Sequence, residues 1–298
     1  MSPVREIRYP HYRKWAEEAL VVAEGVQKDW PPEVDPMDVF GGVVHSICLA
    51  QTERLRAALV LDDAGLGNHA TPYVRLAYEE TLWLSYLATI EDNSLRNDLL
   101  LTMVQVDKAQ RVSTQRDYFG DRGARITGIT AEAHEELRPK IITVLGLLED
   151  VAQRLGWERR PNSPHKYRGA PPKLDWIASR ITSDFPTPHG YLAECSSQYV
   201  HFSAFQAIRG IKAGTDGRAV HADRMQRELD TGFALGWATY LLAYAYLRAR
   251  EWLSPRLDLE QGEDRWWHLK MERILKDLRT YGEPPLIYGA DLLTSSAT

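Results

Sequence analysis

Cysteine is nearly missing from this chain: Cys48 and Cys195 are the only two in 298 residues. Each lies in an apolar stretch with helical periodicity, where a free cysteine acts as a small hydrophobe. Two such cysteines argue against a disulfide framework and fit a reducing, cytoplasmic setting. The opening Met1-Ser-Pro-Val-Arg-Glu-Ile-Arg8 has no apolar signal region. Positive charge is also short: 36 Lys and Arg stand against 41 Asp and Glu, a net charge of −5. That balance argues against a uniform basic face for nucleic acid, and leaves room for a local basic groove. A Gly-rich phosphate loop, a dinucleotide fingerprint and a Gly-x-Ser-x-Gly elbow are all missing. Their absence removes most nucleotide-cofactor enzymes and the α/β hydrolases, and no cofactor is expected. Metal ligands are sparse. His45-x-x-Cys48 has no second pair at ligand spacing, and His189, Cys195 and His201 form no ligand motif. Paired Glu-x-x-His helices, as in di-iron bundles, do not occur, so no metal is expected.

Long apolar runs are scarce too. Thr231 to Leu247 is 17 residues without a charge, with Gly232 and Gly236 four apart. That is the short limit for a membrane span, and Gly-x-x-x-Gly can pack spanning helices. No second span exists, and the stretch is rich in Ala and Tyr, so it reads as a central buried helix. No membrane partner is expected. A membrane-associated dimer using this stretch is the weaker alternative.

Aromatics and helical periodicity are what the chain has in plenty. Nine Trp and 14 Tyr suggest thick helix packing or an interface. Trp237, Tyr240, Tyr244 and Tyr246 surround Gly232 and Gly236, together with Trp252, Trp266 and Trp267 further on. One core is not expected to bury them all, so a homodimer interface is expected there. Strand-like alternation and hairpin turns are not evident. The fold class is therefore all-α: a single irregular bundle of about eight to nine helices. One domain, 1–298, is expected, with a core near 36–253 and peripheral helices and tail at 1–35 and 254–298. Asp35-Pro36 and Thr71-Pro72 read as helix starts. Gly65-Leu-Gly67 reads as a stop. Asp92 or Asn93 caps a helix to about Phe119, and Pro139 bends the helix from Ala131 to Leu155. A helix is expected over 188–210. Between Trp157 and Pro172 lies a basic, proline-rich loop carrying Arg159, Arg160, Lys166 and Arg168.

Two segments place charge or polarity inside apolar helices, where it is costly unless paired. In Thr71-Pro-Tyr-Val-Arg-Leu-Ala-Tyr-Glu-Glu80, Arg75 and Glu79 sit one turn apart and can meet each other or a partner across a groove. In Ser196-Ser-Gln-Tyr-Val-His-Phe-Ser203, His201 shares a face with Glu194 and Gln198, and Ser197 lies one turn before it. A neutral histidine there can serve as general acid or base near pH 7. Each segment also has a plain structural reading, as an ion pair fixing helix packing and as a hydrogen-bonded core histidine.

Together these segments resemble an uncharacterised bacterial all-helical family with an Arg-x-x-x-Glu…Tyr-Leu helix and a Ser-x-x-Val-His helix. That family is similar in turn to HEPN-type helical domains, several of which are RNases of toxin–antitoxin and phage-defence systems. The likeness covers about Val43 to Arg209. It implies a HEPN-like core with Arg75, Glu79 and His201 as its polar centre and Ser197 and Tyr199 beside it. It also implies RNA as a substrate and an antitoxin or defence protein as a partner. Catalytic HEPN RNases carry an arginine shortly before the histidine on the same helix. Here Glu194, Cys195 and Ser196 occupy those places. Two readings follow. One is a non-catalytic or weakly catalytic helical protein whose Arg75/Glu79/His201 network fixes packing or a small-ligand pocket. The other is a metal-independent RNase. In it His201 moves the proton at the ribose 2′-hydroxyl, Arg75 clamps the phosphorane charge, and Arg159, Arg160, Lys166 and Arg168 hold the backbone.

Overall fold

A computed structural model of the chain describes residues 9–29, 38–119, 131–157, 172–181, 190–193, 196, 211–213, 219–221, 224–257 and 264–281. Among them the fold is all-α. In chain order the helices are α1 (Tyr9–Asp29), α2 (Val39–Asp63), a 3-10 turn (Gly67–Ala70), α3 (Thr71–Ala88) and α4 (Asn93–Phe119). They continue with α5 (Ala131–Arg154), α6 (Leu174–Arg180), α7 (Arg224–Leu257) and α8 (Asp264–Tyr281). One short antiparallel pair, β1 (Ile211–Ala213) and β2 (Ala219–His221), joins Ile211 to His221 and Ala213 to Ala219. It is too small to change the all-α class. Three residues per strand are too few for an alternating pattern to declare itself. The first of them also falls at the edge of the helix expected over 188–210.

The chain divides into two compact units. The first holds Met1–Val34, Val43–Ser85 and Ile181–Thr298, and the second holds Asp35–Gly42 and Tyr86–Arg180.

In the first unit α7 is the centre. Its uncharged stretch is buried on nearly every side, from Thr231 through Tyr246 with Tyr240 as the partial exception. α1 packs along it through a stripe of small residues. Ala16, Ala19 and Ala23 are all fully buried, and spacings of three and four put them on one face. Short side chains at a crossing let the two backbones approach closely. α8 packs on both α7 and α1, with Trp267, Met271, Ile274 and Leu278 buried as the expected apolar stripe. The two helices expected at the periphery therefore build this core. No helix among the described residues is long and apolar enough to cross a membrane. Trp237, Tyr244, Tyr246 and Trp267 are buried within the chain. Of the residues expected at a dimer surface, these four are thus core, while Tyr240 is half-buried and Trp266 is 52% exposed.

In the second unit α4 packs on α5. Asp92 is the α4 cap expected from the sequence: its Oδ1 accepts from the backbone N–H of Ser94 at 2.9 Å and of Leu95 at 3.2 Å. For α2 the observed cap is Asp38, whose Oδ1 accepts from Gly41 N–H at 3.0 Å. The expected start, Asp35-Pro36, lies outside the described residues. α5 runs unbroken through Pro139. It ends where Gly156 takes a φ of 66°, a left-handed conformation that costs glycine little. The turn delivers Trp157 inward, where its indole Nε1 donates to the Tyr86 hydroxyl at 2.9 Å. Trp176 of α6 meets the Tyr86 ring edge-on at 5.7 Å. The aromatic residues bracketing the proline-rich loop thus share one anchor, while the loop itself lies outside the described residues.

The 3-10 turn packs against α7 only because residue 67 is glycine. A Cβ there would stand 2.4 Å from Thr231 Cγ2 and 2.7 Å from its Oγ1. Threonine is short and stiff at χ1, so it cannot swing aside. Gly67→Ala should cost about 1–3 kcal/mol, the usual penalty of overpacking. The added variant Thr231→Ala should recover most of that loss. Denaturant melts of both singles and the double measure it; a Gly67→Ala protein as stable as wild type would show that the turn is not pressed against the helix.

Candidate functional site

α3 begins at Thr71-Pro72, with proline at the second position where its missing N–H is harmless. Its inner face is buried through Val74, Ala77, Tyr78, Thr81, Leu82 and Ser85. Gln51 of α2 meets that face, its side-chain amide donating to the Ala77 carbonyl at 3.2 Å and to Thr81 Oγ1 at 2.9 Å. One turn aside, Glu80 forms a two-pronged ion pair with Arg54 of α2. These contacts fix the rotation of α3 and hence where Arg75 points.

Arg75 and Glu79 do meet. Arg75 Nε donates to Glu79 Oε1 at 2.6 Å. The second prong was not readable from the sequence: Arg75 Nη1 donates to the backbone carbonyl of Ala193 at 3.0 Å. Arg75 therefore ties α3 to the helical residues 190–193, which precede Ser197 and His201 in the chain. That segment has further anchors. Tyr191 packs its ring against Phe233 and Trp237 of α7, at centroid distances of 6.3 and 6.2 Å, and Leu192 is fully buried. Ser196 is fully buried too, its hydroxyl donating to the Leu192 carbonyl.

Chemically, Arg75 is an engaged arginine. A carboxylate at 2.6 Å neutralises the guanidinium and repels any anion approaching from the same side. To clamp a phosphate, Arg75 would have to surrender Glu79, Ala193 or both. Ser196 adds a second constraint. Its position is inside the core, where a bare guanidinium would be expensive. His201, Ser197, Tyr199, Arg159, Arg160, Lys166 and Arg168 lie outside the described residues, as do Glu194 and Cys195. No cluster of three or more metal-ligating side chains occurs among the described residues.

The other unusual polar group of this unit lies deeper. The Tyr246 hydroxyl of α7 receives Gln27 Nε2 of α1 at 2.9 Å and lies 3.0 Å from Thr52 Oγ1 of α2. Burial pushes its phenol pKa far up, and likewise that of the buried Cys48 thiol. Both stay neutral across any physiological pH. They are a structural knot and an inert thiol, not a nucleophile.

Comparison of the chain with family models, with curated proteins and with solved structures gave no match.

The exposure of the pair sets its energetic worth. The side chains of Arg75 and Glu79 are 18% and 38% exposed. Breaking a fully buried pair costs roughly 3–5 kcal/mol, but a carboxylate this open is screened. Glu79→Ala should cost about 0.5–1 kcal/mol. Arg75→Ala should cost more, about 1–2.5 kcal/mol, because it also removes the hydrogen bond to the Ala193 carbonyl. Urea melts that rank the two variants in the opposite order would overturn the tie between α3 and residues 190–193.

Proposed function

We propose that the chain is a non-catalytic, or at most weakly catalytic, helical binding protein of a bacterial defence or toxin–antitoxin setting. Its polar pocket is formed by Arg75, Glu79 and His201, with Ser197 and Tyr199 beside it. The observation that carries this reading is the double engagement of Arg75 by Glu79 Oε1 and the Ala193 carbonyl. A guanidinium held by its own fold organises a pocket well and clamps a transferring phosphoryl group poorly. The buried Ser196 supports the same reading. A cytoplasmic location and a homodimer belong to the proposal. The dimer contact lies elsewhere than Trp237, Tyr244 and Tyr246, since the chain buries these itself.

The second reading, a HEPN-like metal-independent RNase, draws support from one contact. Arg75 bonds the backbone of the segment that leads into His201, so a guanidinium is held near that part of the chain. In this reading Arg159, Arg160, Lys166 and Arg168 hold RNA by its phosphates.

Purified protein incubated with total RNA and with tRNA, without added metal, separates the two. No cleavage above the His201→Ala background is expected. A general acid–base group is worth ~10²–10⁴ in rate, so even slow catalysis would stand out. Cleavage lost in both His201→Ala and Arg75→Ala, with both variants folded, would replace the binding reading by the nuclease reading.

A further inference from the structure

α1 and α8 lie side by side in the first unit and run antiparallel. Arg273 of α8 pairs with Glu18 of α1 at 2.5 Å. Further toward the α1 start, Tyr281 packs on His11 and Trp15, at 4.7 and 5.2 Å between centroids. Past the ion pair in the other direction, both helices expose apolar side chains. Val21 is 63% exposed, Leu269 51% and Trp266 52%. Val21 lies one turn after Glu18, and Leu269 and Trp266 lie one and two turns before Arg273. The antiparallel arrangement brings all three to the same end of the pair.

Spacing makes this a pattern rather than a scatter. On α1 the outer stripe is Lys14, Val21 and Lys28, at intervals of seven. On α8 it is Trp266, Leu269, Arg273 and Lys276, at intervals of three, four and three. Both are the spacing that a further helix reads when it packs alongside. Charge at the rim is unevenly paired. Glu18 and Glu24 pair with Arg273 and Arg56, Glu17 shares Arg13 with Asp62 and Asp63, and Glu272 lies 3.1 Å from His268 Nε2. Lys14, Lys28 and Lys276 are exposed and have no ion pair among the described residues. The Lys270 ammonium rests over the Trp266 ring at 4.0 Å. Asp277 is the one carboxylate left on this pair outside an ion pair among the described side chains.

We propose that the outer face of α1 and α8 docks an acidic amphipathic helix of a partner protein. Its apolar residues pack on Val21, Leu269 and Trp266, and its carboxylates meet the lysines at the two ends of the pair. A helix lying in the groove between two others buries apolar anchors at such spacing, and the uncompensated lysines select its charge. This face is independent of Arg75 and of the pocket reading.

The test uses the full chain and two synthetic helices as long as α8. Both have leucine at heptad spacing; one is flanked by glutamate and the other by lysine. Fluorescence anisotropy should show binding of the glutamate helix alone, weakening as salt rises. The double variant Trp266→Ala/Leu269→Ala should bind it about ten- to a hundredfold more weakly. Lys14→Glu/Lys276→Glu should also weaken it. Thermal melts of these surface variants should match wild type. Equal binding of both helices, binding of neither, or unchanged binding by the double variant would overturn the proposal. So would binding of phosphatidylserine vesicles in place of the peptide, which would make the face a lipid contact.

Discussion

The fold of the first unit depends on one constraint: the uncharged stretch of α7 must be covered on every side. A helix apolar all round cannot rest on a surface, since each face left in water forfeits roughly 25 cal/mol for every Å² of apolar area. Three other elements serve that need. α1 contributes alanines, so that it can approach closely. The 3-10 turn contributes Gly67, so that it can come closer still. α8 contributes one apolar stripe. Even the polar end of the stretch follows the rule. Tyr246 is fully buried, so its hydroxyl needs partners, and Gln27 and Thr52 supply them from the two helices that cover it. The contacts between α7 and the N-terminal helix therefore tie together the two ends of the chain.

Arg75 shows how one side chain can carry more contacts in the fold than its sequence spacing reveals. A guanidinium inside an apolar helix signals a requirement for partners, but spacing reveals only the partner on its own helix. Glu79 was readable because residues four apart share a helix face. The Ala193 carbonyl was not, because a backbone acceptor more than a hundred positions away leaves no trace in residue types. That unseen contact joins α3 to residues 190–193. The segment's other side is fastened by Tyr191 against α7, so the motif that follows begins from a firmly held base.

Local signals were legible wherever a single residue type has a single physical use. The Asp92 cap, the α2 stop before Gly67, the Thr71-Pro72 start and the stripe of α8 all appear where periodicity and cap chemistry put them. Non-local facts were not legible. Periodicity says that α1 and α8 each have an apolar face, and is silent on what that face meets, so both were read as peripheral when both pack on α7. The same gap misplaced the aromatics: composition counts tryptophans but does not allocate them. Asp38, a cap that the sequence did not single out, shows the ordinary slack of a helix start. Of the candidate site, only Arg75 and Glu79 fall on described residues, so its histidine and its basic loop rest on pattern and resemblance.

Allocation is also what separates the aromatic residues that build the core from those that face outward. Trp267 and Trp266 are neighbours on α8, one buried and one half in water, because adjacent helical positions are turned about 100° apart. Trp267 sits with Met271 and Ile274 toward α7. Trp266 sits with Leu269 and Arg273 on the opposite side, where the Lys270 ammonium lies 4.0 Å over its ring. A tryptophan left out of the core gives up several times the burial energy of an alanine, so an exposed one is the more informative of the two. A cation over its face is a partial substitute for packing, worth about 0.5–1 kcal/mol at an exposed site, well short of what burial of the indole would give. The difference is available to whatever covers α8 from outside, and the lysines around it determine the charge that such a partner must carry.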